Sequence, residues 1–413
     1  MTNFKFLISN FKFTILIALL TFTLGWQLGH RDVSLQWQNF QPTVSVTNKT
    51  PPSEIGVDFK LFWDTWDLVS KKYRDKTVID PDKMYYGAIQ GMVASLGDPY
   101  TVFLPPEAQK STKEELGGSF SGVGIELGFD KDKRLSVIAP LEGTPADKAG
   151  IKPEDVIVKI GEKETTNVTL PEAVSLIRGP KGTQIALTIF TPGEQEPREI
   201  KLIRDTIVVK SVTLKFEESQ GRKIAVLKLA RFGERTEEEW NSAVSEVLAE
   251  APKGIVLDLR NNPGGYLDGA VYVASEFLDS GEVVIQEAGD GSRYNYKVNR
   301  QGKLLKLPMV VLINKGSASA SEIVAGALQD RGRAKLVGVK SFGKGTIQET
   351  EDLPGGTGIH ITTARWLTPL GHWVNDTTGL TPDVEIEMPK VEAGADSSVK
   401  PEDVQLKKAL ELL

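Results

Sequence analysis

The chain has 413 residues, 40% hydrophobic and 25% charged, with a net charge of -6 from 49 basic and 55 acidic side chains. At roughly 100–200 residues per domain this is room for two or three domains, and mild acidity without a Lys/Arg-rich block gives no electrostatic basis for binding nucleic acid. The absence of cysteine excludes disulfides, thiol catalysis and thiolate metal sites, and any histidine-based mechanism must use His30, His360 or His372.

At the N-terminus, Lys5 and Lys12 precede an uncharged run from Phe13 to Gly29. The run is marginal for a bilayer span of about 20 residues. Positive charge ahead of it would keep the N-terminus in the cytoplasm and send the remainder across. Residues 1–30 read as a membrane anchor or signal segment; no Ala-x-Ala site follows and Trp26 suits an interfacial position, which favours a retained anchor. The bulk of the chain is then extracytoplasmic. Residues 31–56 are polar, contain "KTPPSE", and read as a linker.

Phe59, Phe62, Trp63, Trp66 and Val69 fall at helical spacing and predict a helix with one buried face. A second helix is expected near "MYYGAIQGMVASL", ending at Gly97-Asp98-Pro99. After Gly117-Gly118 come short β-rich runs, "GVGIELGF", "LSVIAPL", "DVIVKIG", "QIALTIF" and "REIKLIR", with a helical "LPEAVSLIRG" between the third and fourth. This order predicts a small α+β module ending near Asp205. Strands then alternate with helices: "KIAVLKLARF", a helix from about Thr236 to Glu250, "KGIVLDLR", "YLDGAVYVASEFL", "PMVVLINK", "GSASASEIVAGALQD", "AKLVGV" and "TIQETEDL". Near-continuously apolar strands between helices imply an α/β layered domain. A polar linker and a terminal helix, "QLKKALELL", close the chain.

Two loops carry candidate chemistry. "GVKSFGKGT" is one residue short of a phosphate-binding loop and has Gly345 where the magnesium-binding hydroxyl is needed; a strand-like "TIQET" follows instead of a helix. Lys344 is then either a surface lysine in a Gly-rich turn or a general base whose burial disfavours the ammonium. The nucleophile for such a base lies in "NKGSASASEI", a strand–turn–helix junction where a backbone N–H at the helix N-terminus can stabilise an oxyanion. Ser317, Ser319 and Ser321 compete for that role. Ser319 and Glu322 also fit a capping box, S-x-x-E, which places Ser319 at the turn. His360 sits in an expected strand and His372 in an expected turn, and the residues alone leave both open as bases. Gln348 shares a strand face with Thr346 and could orient Lys344. The Gly264-Gly265 turn of "DLRNNPGG" is an ordinary βα turn or the second oxyanion donor.

Taken in series, "GDPYTVFL", "SGVGIEL", "GTPADKAGIKPEDVI", "LIRGPKGT", "DLRNNPGG", "NKGSASASEIVAGALQD" and "SFGKGTIQ" resemble the carboxyl-terminal processing, or tail-specific, proteases over about residues 56–390. The resemblance implies a multidomain α/β and α+β chain: a crotonase-like α/β protease core, an inserted PDZ domain and an N-terminal helical segment. The implied division is 57–115 for the helical part of the protease body, 116–206 for the PDZ domain, 207–390 for the Ser–Lys core, and 391–413 for a linker and C-terminal helix. It implies Ser319 as nucleophile, Lys344 as base, Gln348 as its orienting partner, and backbone N–H groups of Ala320 and of Gly264-Gly265 as oxyanion donors. Gly122, Val123, Gly124 and Ile125 match the loop with which PDZ domains hold a substrate's C-terminal carboxylate. Arg178, just after the expected PDZ helix, is either an ordinary exposed arginine or a sensor of PDZ position. No metal or cofactor is expected. The implied partners are protein or peptide substrates with a free C-terminus, and the membrane through the N-terminal segment; homo-oligomer formation is left open. The alternative is an inactive, membrane-anchored PDZ peptide-binding protein. The implied location is the periplasm or thylakoid lumen.

Overall fold

The computed structural model describes Thr21, the backbone of residues 32–38 and 41–47, residues 56–389 other than Asp376, and residues 402–413. Apart from Thr21, the expected anchor lies outside the described residues; among those described, no helix is long and apolar enough to cross a membrane. Residues 1–81 and 82–413 form separate compact units.

In the first unit the segment expected to be a linker contains an antiparallel hairpin, β1 (Asp32–Gln38) and β2 (Gln41–Thr47). Val33, Leu35 and Trp37 alternate with polar residues, a two-residue period that the reading of overall polarity passed over. Helix α1 (Lys60–Lys72) forms where the periodicity placed it, but the buried face does not: none of its residues is buried and Trp63 is 61% exposed. Its rings pack on one another, Phe62 meeting Trp63 edge-on at 5.0 Å. Helical spacing gathers apolar residues on one side; only a covering element buries them.

The second unit begins with α2 (Pro81–Ala94), β3 (Val102–Leu104) and α3 (Pro106–Leu116). The α+β module follows: β4 (Ser119–Gly122), β5 (Ile125–Phe129), β6 (Leu135–Pro140), α4 (Pro145–Lys148), β7 (Val156–Ile160), β8 (Lys163–Glu164), α5 (Leu170–Ile177), β9 (Gln184–Phe190), β10 (Arg198–Ile203) and β11 (Asp205–Val208). Its sheet runs β10-β9-β7-β6-β5 with β8 beside β7, over a core that includes Val123, Leu135, Ile157, Ala173, Leu187 and Ile189. The entering strand β4 and the leaving strand β11 pair antiparallel, so both ends of the module are held in one ribbon.

The remaining chain is built on a six-stranded sheet of order β12-β13-β14-β17-β18-β21. Its strands are β12 (Val212–Ser219), β13 (Arg222–Leu229), β14 (Gly254–Asp258), β17 (Met309–Ile313), β18 (Lys335–Gly338) and β21 (Val384–Glu385). All neighbours pair parallel except β12, an antiparallel edge strand. Every residue of β14 and β17 is buried, and the strand period of two divides them between faces. Ile255, Leu257, Val311 and Ile313 point into the larger core with α6 (Thr236–Glu250), α7 (Leu267–Ala274) and α8 (Ala320–Asp330). Val256, Val310 and Leu312 face α9 (Val404–Glu411). A second, antiparallel sheet of order β16-β15-β20-β19 comprises β15 (Glu282–Ala288), β16 (Arg293–Lys297), β19 (Thr346–Leu353) and β20 (Thr357–Leu367), with β3 beside β20. β12, β15 and β16 were not anticipated from the sequence.

Candidate active site

Two parallel strands deliver the first half of the site. β14 runs into the turn 259–265 and β17 into the turn 314–319, and side-chain amides join the two turns. The Asn261 N–H donates to Asn314 Oδ1 at 2.9 Å, and Asn314 Nδ2 donates to Asn261 Oδ1 at 2.9 Å. The fully buried Asn262 donates through Nδ2 to the Leu229 carbonyl at 2.8 Å and accepts the Ala318 N–H at its own carbonyl at 3.0 Å. Arg260, two residues before Asn262, makes paired hydrogen bonds to Asp258 and to Asp403 of the C-terminal segment.

The three candidate serines separate cleanly. Ser317 is fully buried and donates its hydroxyl to the Leu259 carbonyl at 2.8 Å. Ser321 is fully buried and donates to the Asn262 and Ala318 carbonyls. Ser319 is half-buried and opens onto a cavity of about 480 Å³. Its backbone, at φ 55° and ψ -119°, is in a region that favours glycine. The local rule behind the S-x-x-E pattern holds as well: Glu322 Oε2 accepts the Ser319 N–H at 2.8 Å.

Glu322 has a wider role than capping, and sequence spacing alone gave no indication of it. Its fully buried carboxylate also accepts the Ser341 hydroxyl at 2.5 Å, the Gly343 N–H at 2.7 Å and the Lys344 N–H at 2.9 Å. One carboxylate therefore fixes the serine turn and the lysine loop against each other. Burial pushes its pKa up, opposed by these four donors.

Lys344 lines the same cavity, with Gln348, Ala320, Gly264 and Gly265. Burial lowers its pKa from the ordinary 10.5, against upward pulls from Asp98 and Glu322. The glycine after it serves packing: a Cβ at Gly345 would lie 1.5 Å from the Val374 carbonyl oxygen, so glycine permits close backbone approach, and its carbonyl accepts the Trp366 N–H and Trp373 Nε1–H.

Proximity is not yet alignment. No hydrogen bond links Lys344 Nζ to Ser319 Oγ or to Gln348; the Gln348 amide instead donates to Thr346 Oγ1 at 2.9 Å and Thr362 Oγ1 at 3.1 Å. Of the anticipated oxyanion donors, the Gly264 N–H is engaged by Asn262 Oδ1 at 2.9 Å. The N–H groups of Ala320 and Gly265 have no protein acceptor among the described residues. Gly265 also has Phe232 bonding to the residues on either side of it, so its own N–H faces away from that strand. His360, which the residues alone left open as a base, lines the cavity, and its pKa is lowered by burial and by the charge of Lys344. His372 is exposed near Asp330.

The remaining candidates lie in the α+β module. Val123 and Gly124 are buried, and their N–H groups are without protein acceptors among the described residues. Gly124 has φ 79°, and a Cβ there would sit 2.4 Å from Thr144, so only glycine fits that turn. Arg178 Nη1 lies 3.3 Å from Glu114 Oε2 on α3, with its guanidinium 4.4 Å above the Phe120 ring.

Comparison with known proteins agrees with this layout. Residues 223–386 match Peptidase family S41, 109–190 the PDZ domain, and 25–108 the activating protease CtpB N-terminal domain. The carboxyl-terminal-processing protease of Picosynechococcus sp. is 38% identical over 372 residues, spanning 87% of this chain and 86% of that protein. The chain belongs to the carboxyl-terminal processing proteases. Another relative of the family, the carboxy-terminal processing protease CtpA of Bacillus subtilis, is 37% identical over 325 residues, 78% of this chain and 68% of the relative. A putative S41 protease from Bacteroides fragilis shares the fold, with a TM-score of 0.53 at 15% identity over 82% of this chain and 92% of that one. The family's architecture, an S41 core with an inserted PDZ domain, is the one described above.

Proposed function

We propose that this family member is a serine endopeptidase that cleaves near the C-termini of proteins through a Ser319–Lys344 acyl-enzyme mechanism. The observation that carries the reading is the shared cavity: Ser319 is the candidate serine that lines it, the Ser317 and Ser321 hydroxyls being bonded to carbonyls, and burial lowers the pKa of the lysine beside it. Neutral Lys344 takes the Ser319 proton as Oγ attacks the scissile carbonyl carbon. The developing oxyanion is received by the Ala320 N–H and by the Gly264-Gly265 turn, where the Gly265 N–H is the unengaged donor. Collapse breaks the C–N bond, the lysine proton passes to the leaving amine, and water hydrolyses the ester. Gln348 would orient Lys344 only after leaving Thr346 and Thr362. The Val123 and Gly124 amides would hold the tail's terminal carboxylate while the tail adds as a strand. Arg178 would sense PDZ position through Glu114 on α3. The same reading takes 116–206 as the PDZ domain and 207–390 as the catalytic core, and places the enzyme outside the cytoplasm.

The test is cleavage of an internally quenched peptide with an apolar C-terminus. Wild type should cleave it and Ser319→Ala should not; cleavage that persists in the variant overturns the nucleophile assignment. Amidating the peptide's C-terminus should raise KM about tenfold if the terminal carboxylate is held by amides. Tail binding without any cleavage would favour an inactive PDZ binding protein, a reading to which the unaligned Lys344 and Gln348 lend some support.

A further inference from the structure

In this structure the Lys344 side-chain nitrogen lies against an aromatic ring. Lys344 Nζ is 5.1 Å from the centroid of Tyr100, within the ~6 Å over which a ring face attracts a cation. We propose that Tyr100, backed by Asp98, is a resting place for protonated Lys344, a positioning pair that holds the ammonium away from Ser319 and releases the neutral amine. The inference rests on Lys344 being the base.

The backbone that carries the ring is held by hydrogen bonds. Asp98 Oδ1 accepts the Tyr100 N–H at 3.0 Å, and Asp98 Oδ2 accepts the Thr101 hydroxyl at 2.7 Å. Thr101 Oγ1 in turn accepts the Thr362 N–H at 3.0 Å. Thr362 belongs to β20, the strand paired with β19, which starts two residues after Lys344. Ring and lysine are therefore carried on one hydrogen-bonded framework. Burial alone would raise the Asp98 pKa, but hydrogen bonds from Thr362, Thr101 and the Tyr100 backbone hold it below the usual aspartate range. Asp98 is thus a carboxylate at neutral pH whose charge acts on Lys344.

The charged and titratable groups acting on Lys344 are Asp98 and Glu322, which favour the ammonium, and His360, whose own titration is depressed by the lysine charge. Glu322 is already engaged by four donors, and Gln348 is turned to two threonines. The ring and Asp98 attract a cation and lose that attraction when the proton leaves. The resting contact is therefore specific to the protonation state that cannot act as a base. Substrate binding that excludes water would favour the amine and so free the side chain.

The test reads the lysine directly. In Ser319→Ala, with lysine labelled with 13C at Cε and the Lys344 resonance assigned by its loss in Lys344→Arg, the titration can be followed whether or not the enzyme is a protease. Tyr100→Leu should lower the Lys344 midpoint by about half to one and a half pH units. Asp98→Asn should move it the same way, and Tyr100→Phe, which keeps the ring, should leave it within about 0.3 unit. In the Ser319 enzyme the acid limb of kcat/KM for the quenched peptide should shift with the midpoint, giving about a threefold to thirtyfold gain on that limb. An unchanged midpoint in Tyr100→Leu overturns the proposal; should that variant not fold, an unchanged midpoint in Asp98→Asn, or an equal shift in Tyr100→Phe, overturns it. A shifted midpoint with an unshifted rate limb would retain the resting contact and reject Lys344 as the base.

Discussion

Ser319 and Lys344 face one cavity, but the chain holds them in different ways. The serine turn is rigid: two buried parallel strands end beside each other, asparagine amides join their turns, and neighbouring hydroxyls are fixed on carbonyls. Ser319 is held there at φ 55°, a strain of about 1–3 kcal/mol that the surrounding bonds sustain. The lysine backbone is fixed by Glu322 and by tryptophan bonds to the Lys344 and Gly345 carbonyls, while its side chain has no hydrogen bond to either proposed partner. The proposed nucleophile is thus built into the fold, whereas the proposed base shares its cavity without a hydrogen bond to it. The lack of that bond is compatible with catalysis, since such bonds often tighten only in the substrate complex.

The largest effects should come from the rigid half. Ser319→Ala should lower kcat by roughly a thousandfold or more in the peptide assay. Ser319→Gly should be equally inactive yet raise stability by about 1 kcal/mol in denaturant unfolding, because glycine accepts this backbone without strain. Lys344→Met should lower kcat by about 10²–10⁴-fold, and Lys344→Arg should not restore it, because a guanidinium stays protonated. The sign of the pH dependence follows from the same group. Only neutral lysine is a base and burial lowers its pKa, so kcat/KM should rise with pH along a limb centred below the ordinary 10.5; a flat profile from neutral to alkaline pH would exclude Lys344. Glu322→Gln breaks the link between the halves. It should cost about 1–3 kcal/mol in stability and about ten- to hundredfold in kcat with KM little changed, as expected for lost alignment. The smallest effect belongs to Gln348→Ala, a kcat loss of less than about tenfold, since its present bonds are to threonines. A loss as large as that of Lys344→Met would show that alignment through Gln348 limits the reaction.

Much of this was legible beforehand because it is local. The parallel strands announced themselves as short, continuously apolar runs between helices, and α6 spans the expected Thr236–Glu250. The hairpin β1–β2 was overlooked because its alternation lies within a polar segment, and β15 and β16 because nothing in "EVVIQEAGDGSRYNYK" marks which sheet it joins. The aromatic face of α1 teaches the converse. Its period was read correctly, yet burial depends on a partner that periodicity cannot supply.

By itself the sequence determined the order of elements, the candidate serine turn and lysine loop, and the glycines that let chains approach. Those features depend on residues adjacent in the chain, whose preferences act over a few bonds. Only the tertiary structure decided which serine opens onto the cavity, that Glu322 joins residues 319 and 344, that Gly345 packs on Val374, and that Lys344 rests against Tyr100. The Glu322–Lys344, Gly345–Val374 and Lys344–Tyr100 contacts span tens to hundreds of residues. Desolvation and hydrogen-bond competition in the folded core set such contacts, and no local pattern encodes them.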